Sequence, residues 1–188
     1  CALPIYVNPE FWNAFMPKVM ETAKKAGKKD FAIFGEVYDA NPYMLSTFVH
    51  EQSFPSVLDF GFQRHGLAFA RTDGQIPRLV DLFNQDDLYT TSTQSVYGIP
   101  TFLGNHDMGR VGFLIPASQA SAKNDLLART KLAHALMYFS RGIPTVYYGD
   151  EVGMTGSGNG GDQRARQDMF ETKILAWKSE PRVGAEPV

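Results

Sequence analysis

Two apolar runs stop abruptly at polar groups. Phe31-Ala32-Ile33-Phe34-Gly35 ends at the carboxyl of Glu36, and Phe102-Leu103-Gly104 ends at Asn105, His106 and Asp107. Short continuous apolar runs suit strands covered on both faces, as in α/β proteins, and the carboxyl ends of such strands are where those folds place their active sites. Two carboxyls, a carboxamide and an imidazole are groups that move protons and hydrogen-bond a polar substrate. Taken alone, Asn-His-Asp reads equally as a turn with a helix cap, and Glu36 as a solvated strand end. His50, His65 and His134 have no metal-ligand spacing with His106, and His134, on the apolar face of an expected helix, reads as a core histidine.

The elements that must position these groups alternate between helix and strand. Pro9 to Gly27 carries Phe11, Phe15, Val19 and Ala23 four residues apart, which predicts a helix with that face buried, Pro9 near its start and Gly27 at its end. The Lys24–Lys29 stretch is the solvated end of that helix. A strand at Phe31–Glu36 is followed by Tyr38–Pro55, polar and proline-broken, which reads as a loop. Ser56–Phe60 predicts a strand and Phe62–Arg71 a helix. Ile76–Phe83 is a further helix, with Pro77 in its first turn, and Asn84–Tyr97 a loop. A strand at Pro100–Asn105, a glycine-rich loop, a long helix from Ser118 to Arg141 and a last strand at Pro144–Tyr148 complete the pattern. Gly153–Gly161 reads as a flexible loop with no phosphate-binding signature. Asp162–Trp177 reads as partly helical and residues 179–188 as a flexible tail. Four βα units fit either half of a parallel barrel or an open doubly wound sheet, and periodicity does not separate the two.

The 188 residues, 44% of them hydrophobic, suffice for one core but fall short of the ~250 typical of a closed eight-fold barrel. A net charge of −2 with no long basic run excludes a nucleic-acid footprint. Cys1 is the single cysteine, so neither an intrachain disulfide nor a cysteine-rich metal site is expected. No apolar stretch reaches the ~20 residues of a membrane span and no leader segment is read at the start, so a soluble protein of undetermined compartment is expected.

Four segments in order resemble the α-amylase family of glycoside hydrolases. Phe34-Gly35-Glu36-Val37-Tyr38 is similar to the family's segment at the end of the fifth barrel strand, and Phe102-Leu103-Gly104-Asn105-His106-Asp107 to that at the end of the seventh. Gly142-Ile143-Pro144-Thr145-Val146-Tyr147-Tyr148-Gly149-Asp150-Glu151 resembles the eighth strand. The Asp162 to Arg166 spacing in Gly161-Asp162-Gln163-Arg164-Ala165-Arg166 resembles a pair that holds a donor-side sugar. The resemblance implies an α/β chain whose residues 1–178 are parallel βα units forming the C-terminal half of a TIM (β/α)8 barrel, strands five to eight with the preceding helix.

It also implies roles. Breaking a glycosidic bond needs a proton for the leaving oxygen and negative charge beside an oxocarbenium-like sugar. Glu36 is the expected general acid/base, its pKa raised by apolar Phe34 and Val37 and by neighbouring carboxylates. Asp107 is expected to stabilise the transition state through sugar hydroxyls. His106, Asn105, Tyr38, Asp162 and Arg166 are the expected substrate contacts, Tyr38 by stacking, while Asp162 and Arg166 read equally as a helical i,i+4 ion pair. The substrate class is an α-glucan oligosaccharide of the starch type. No cofactor is expected; calcium is left open, because in the family it sits beside an inserted domain that has no counterpart here.

The resemblance also calls for a nucleophilic Asp at the end of a fourth strand, two residues after an Arg. Alignment on Val7-Asn8-Pro9 places Ala2 there, or, with a small insertion, puts the Asp before Cys1. Asp39 and Asp150 are the substitutes within the chain. A half barrel exposes strand edges and apolar surface, so self-association or a missing N-terminal half is the expected partner. Two readings follow: an α-glucan hydrolase acting with retention, of which this chain carries the acid but lacks the nucleophile, or an inactive remnant that at most binds glucan.

Overall fold

The computed structural model describes residues 6–71, 76–117, 125–156, 162–171, 173–178 and 180–185. Its helices are α1 (Pro9–Lys25), α2 (Pro42–Glu51), α3 (Phe60–Arg71), α4 (Ile76–Phe83), α5 (Val111–Ala117), α6 (Leu126–Phe139) and α7 (Leu175–Lys178), with two short strands, β1 (Pro100–Thr101) and β2 (Ile143–Pro144).

At the centre lies a parallel ladder of segments in chain order. Gly35 pairs with Val57, Asp59 with Thr101, and β1 with β2 in the register Pro100 to Ile143 and Thr101 to Pro144. Gly35 donates to the Ser56 carbonyl and accepts from Leu58, both at 2.9 Å; Asp59 donates to Pro100 (3.0 Å), Ile143 to Ile99 and Thr145 to Thr101 (both 2.8 Å). Each rung comes from the next βα unit, as consecutive parallel strands require.

The strands are shorter than the apolar runs predict. Phe31–Glu36 contributes one bridge and Ser56–Phe60 one on each side, Pro100–Asn105 pairs in the parallel ladder only through its first two residues, and Pro144–Tyr148 only through Pro144. A parallel strand is regular where it has neighbours on both sides and cover on both faces. Ile143 and Pro144 are exposed, as are Phe31 and Phe34, so the two ends of the ladder are open. An apolar run reports the burial a segment seeks; the ladder depends on what lies beside it.

Helix α1 begins at Pro9, carries Glu10 in its first turn and Lys24 and Lys25 in its last, and is closed by Ala26 and then Gly27, whose φ of 75° suits a residue without Cβ. Its buried row is Trp12, Met16 and Ala23; Phe11 and Phe15 of the expected face lie outside, stacked on each other at 5.4 Å. Phe11 adjoins Trp12 and Phe15 adjoins Met16, so two apolar stripes run side by side. The larger contact decides: Trp12 meets Phe54 with centroids 4.9 Å apart, in a cluster with Val37, Leu45, Phe48 and Val57.

The expected loop Tyr38–Pro55 contains α2. Asn41 caps it, its Oδ1 accepting from Tyr43 N at 3.0 Å, and Pro42 takes the first helical position, where a missing N–H costs nothing. Leu45, Phe48 and Val49 then bury one face in the α1 cluster. A second cluster joins Phe62, Leu67, Leu82, Leu103, Val111, Ile115, Ala133 and Met137 from α3 to α6. The glycine-rich stretch after Asp107 turns into α5, and the helix expected over Ser118–Arg141 is α6, ending at Phe139, with residues 118–124 outside the described set. Of the expected tail, Val183 donates to the Gly153 carbonyl and Thr155 Oγ1 to that of Pro181.

Candidate active site

Glu36 follows the first rung directly. Gly35, bonded through both N–H and C=O, fixes where that backbone leaves the ladder, and the Phe54 ring fills the space a Gly35 side chain would need, an added Cβ coming within 2.6 Å of it. The Glu36 side chain is half-buried. Val37 beside it is buried, but Phe34, expected as the other apolar wall, is 50% exposed. Two residues on, Tyr38 packs its edge on Phe60 (5.1 Å, 70°), and Phe60 in turn meets Phe102 (5.0 Å, 89°). These contacts link the ends of three ladder segments. Tyr38, Asp39, Ala40, Phe60, Gln63, Arg64 and Met108 line a groove of about 450 Å³, with Tyr38 57% exposed along it. Gln63 is pinned by its bond to the Leu103 carbonyl at 3.2 Å.

The Asn105-His106-Asp107 group stands on a tight turn. Asn105 bridges to Gly109, and its Oδ1 accepts from Asp107 N at 3.0 Å and Met108 N at 2.7 Å. The Asn105 oxygen, expected to meet substrate, is thus held by the turn, an Asx-type arrangement. Gly104 is required here, since a Cβ on it would lie 2.4 Å from the Gly109 carbonyl.

The turn presents Asp107 outward, where Arg166 Nη2 donates to its Oδ1 at 2.7 Å and Arg166 Nε to the His106 carbonyl at 3.2 Å. His106 Nε2 lies 3.4 Å from the same carboxylate oxygen. Arg166 therefore reaches across 59 residues to Asp107. Asp162 opens a short 3-10 turn, Asp162–Ala165; its side chain lies outside the described set. With side chains about 40% exposed, an ion pair like Asp107–Arg166 contributes about 0–1 kcal/mol. Its consequence is orientation: one fork of hydrogen bonds ties the Asp107 carboxylate to the His106 backbone, and the imidazole stands beside that carboxylate on one rim.

Sequence reasoning missed the buried support beneath this rim. Arg110, fully buried, donates through Nε to Gln167 Oε1 at 2.7 Å and through Nη1 to the Tyr148 carbonyl, and lies over the rings of Tyr147 (4.5 Å) and Tyr148 (4.8 Å). Its position three residues after Asp107 was the available signal. Asp150, 3.4 Å from Arg110 Nη1, is part of the same support. Enclosed there, it is no candidate for an attacking carboxylate, and Asp39 spends an oxygen on Asn41 N at 2.8 Å. His134 is half-buried and bonded through Nδ1 to the Thr130 carbonyl at 2.9 Å, beside a groove that Asp150 also lines.

Burial pushes Asp150 up to about 6, against the opposing pull of Arg110 and, more weakly, of His134. The folded protein then binds a proton that the unfolded chain releases near pH 4, so this group's contribution falls as pH rises from about 4 through 6. Asp150→Asn is expected to gain on the wild type over that range, by at most about 3 kcal/mol. Urea unfolding at pH 4.5 and 7 checks this; a stability difference that does not change with pH would contradict it.

Among the described residues no three His, Cys, Asp or Glu side chains are grouped to hold a metal ion. No described helix is long and apolar enough to cross a membrane.

The sequence model of the alpha amylase catalytic domain matches residues 7–182. The chain belongs to the alpha-amylase family. It is 40% identical over 182 residues to an alpha-amylase of Streptomyces lividans, covering 96% of this chain and 20% of that one. It is 31% identical over 153 residues to a cyclomaltodextrinase of Thermoanaerobacter pseudethanolicus, covering 80% of this chain and 23% of that one. Among solved structures, the alpha-amylase of Geobacillus thermoleovorans, complexed with acarbose, superposes with a TM-score of 0.68 at 27% identity, covering 88% of this chain and 34% of the other. The alpha-amylase family chain thus spans about a fifth to a third of the length of these relatives. The family's α/β fold accords with the parallel ladder and its surrounding helices.

Proposed function

We propose that the chain supplies strands five to eight of an alpha-amylase-type (β/α)8 barrel, with α1 before them. With those strands come the acid and the sugar-binding half of a site that cleaves α-glucosidic bonds of starch-like glucans with retention. The observation that carries this reading is the ordered ladder: Glu36 leaves its first rung and the Asp107 turn follows its third, both on the side where the Tyr38 groove lies. The matches to alpha-amylases and a cyclomaltodextrinase, and the acarbose bound by a structural neighbour, support the substrate class.

In the retaining route a carboxylate attacks the anomeric carbon while the carbon–oxygen bond to the leaving sugar breaks, and Glu36 gives its proton to that oxygen. Water then attacks the glycosyl intermediate, its proton returning to Glu36 as the nucleophile departs. With Asp150 enclosed and Asp39 engaged, the attacking carboxylate is assigned to the part of the barrel that precedes the described residues. The open ladder ends and exposed Phe11, Phe15 and Phe31 are assigned to packing against that part, or against a second copy. Asp107, held by Arg166, and His106 beside it bind hydroxyls of the sugar that becomes positively charged.

The test is a graft of residues 7–182 in place of the matching segment of the Streptomyces lividans relative, assayed for reducing-end release. Maltoheptaose should be cleaved and cellohexaose spared; a folded graft that cleaves neither overturns the reading. In that graft Asp107→Asn should lower kcat far more than it raises KM, because its bonds strengthen as charge develops. An effect confined to KM would make Asp107 a ground-state contact only.

A further inference from the structure

A chain of contacts runs from Arg110 to both Asp107 and Arg166. On one side it follows Asp107 by three residues, and the intervening turn is closed by Gly109 N donating to the Asn105 carbonyl at 3.0 Å. On the other it lies over the two tyrosine rings, and those rings end in hydroxyls that grip one short segment. Tyr147 Oη donates to the Ala165 carbonyl and Tyr148 Oη to the Gln167 carbonyl, both at 2.8 Å. Gln167 is gripped a second time, through its side chain, by Arg110 Nε. Ala165 and Gln167 are buried; the residue between them is Arg166, the exposed partner of Asp107.

Burying a guanidinium costs several kcal/mol before its contacts are counted, and apolar residues of equal volume serve packing alone at least as well. What an apolar side chain cannot supply is the planar fork, set against two tyrosine rings that also meet each other while it bonds through both Nε and Nη1. We propose that Arg110 is a positioning residue: acting through Tyr147, Tyr148 and Gln167, it holds the 165–167 segment so that Arg166 meets Asp107 in the sugar-binding geometry. The link to sugar rests on the function proposed above; the link to Arg166 does not.

The experiment uses the 188-residue chain, with maltoheptaose as probe and Arg166 labelled so that its Nε–H resonance, which reports the bond to the His106 carbonyl, is resolved by NMR. Two variants are compared. Arg110→Lys keeps the charge and loses the fork; Tyr147→Phe with Tyr148→Phe keeps both rings and removes only the hydroxyl grips. Both should move or broaden the Arg166 Nε–H signal and weaken maltoheptaose binding about tenfold by calorimetry. In an Arg166→Ala background the tyrosine changes should weaken binding no further. An Arg166 signal unchanged in the tyrosine variant overturns the proposal, as does a variant that loses thermal stability alone while its folded form binds as the wild type does. If the wild-type chain takes up no maltoheptaose, the sugar reading fails separately, and the Arg166 resonance still decides whether Arg110 positions it.

Discussion

Glu36→Gln in the grafted enzyme lowers the turnover of maltoheptaose at least ~10²-fold and leaves its binding nearly unchanged. The amide keeps the shape and polarity of the carboxyl but has no proton of usable acidity, so it removes proton transfer to the leaving oxygen; general acids contribute typically 10²–10⁴-fold. The effect should depend on the leaving group. An aryl glycoside, whose departing oxygen needs little protonation, should lose much less than maltoheptaose. Steady-state kinetics on the two substrates checks both points, and an equal loss on both would remove Glu36 from the acid role. Glu36 is half-buried, with Val37 closed and Phe34 open to solvent.

The second large effect concerns stability. Arg141 Nη1 donates to Asp59 Oδ2 at 2.5 Å and Nε to Asp86 Oδ1 at 2.9 Å, while its guanidinium faces the rings of Phe83 (5.2 Å) and Phe62 (5.6 Å). The Asp59 side chain is fully enclosed and that of Arg141 is 7% exposed. Asp59 has two further duties: its Oδ1 caps α3 by accepting from Phe62 N at 2.7 Å, and its N–H makes the rung to Pro100. Asp59→Ala takes the enclosed carboxylate from a buried guanidinium, leaving it the partly exposed Asp86, and uncaps a helix; it should cost about 3–5 kcal/mol in unfolding free energy by urea titration. Replacing Arg141 by Met at the same time should cost less than the two single losses added, because the Asp59–Arg141 bond is lost only once. A single-variant loss below about 1 kcal/mol would mean that water reaches the pair and screens it.

Much of this architecture was legible in the residues. Ile76–Phe83 is a helix with the expected ends, and α1 and α3 lie within a few residues of expectation, because Pro9, Gly27 and the apolar spacing are local signals. Helix α2 was not read, because Pro42 was taken as a breaker when Asn41-Pro42 is a cap followed by a first-turn proline. The buried face of α1 was also not legible: Phe11 and Trp12, like Phe15 and Met16, are neighbours, and only tertiary contact with Phe54 selects between the stripes. Strand lengths failed for the same reason, since pairing is a property of two segments and the ends of this ladder have one neighbour each.

At the site, the strand-end position of Glu36 and the Asn-His-Asp turn could be read locally. The Asp107–Arg166 bond joins residues 59 apart, and the fourfold spacing of Asp162 and Arg166 offered a sugar-holding pair or a helical ion pair, neither of which names Asp107. Arg110 was passed over because a charged side chain one turn beyond a polar motif reads as surface, and only the convergence of Tyr147, Tyr148 and Gln167 makes a place for it inside.

The central claim, that this chain carries the sugar-binding half of an α-glucan site, is tested most directly by chemical-shift mapping of maltoheptaose on the 188-residue chain. The account predicts shifts concentrated at Glu36–Tyr38, at Gly104–Asp107 and at Arg166, abolished by Asp107→Ala. Shifts that map elsewhere, or none at millimolar sugar in a chain whose spectrum is that of a folded protein, would contradict it.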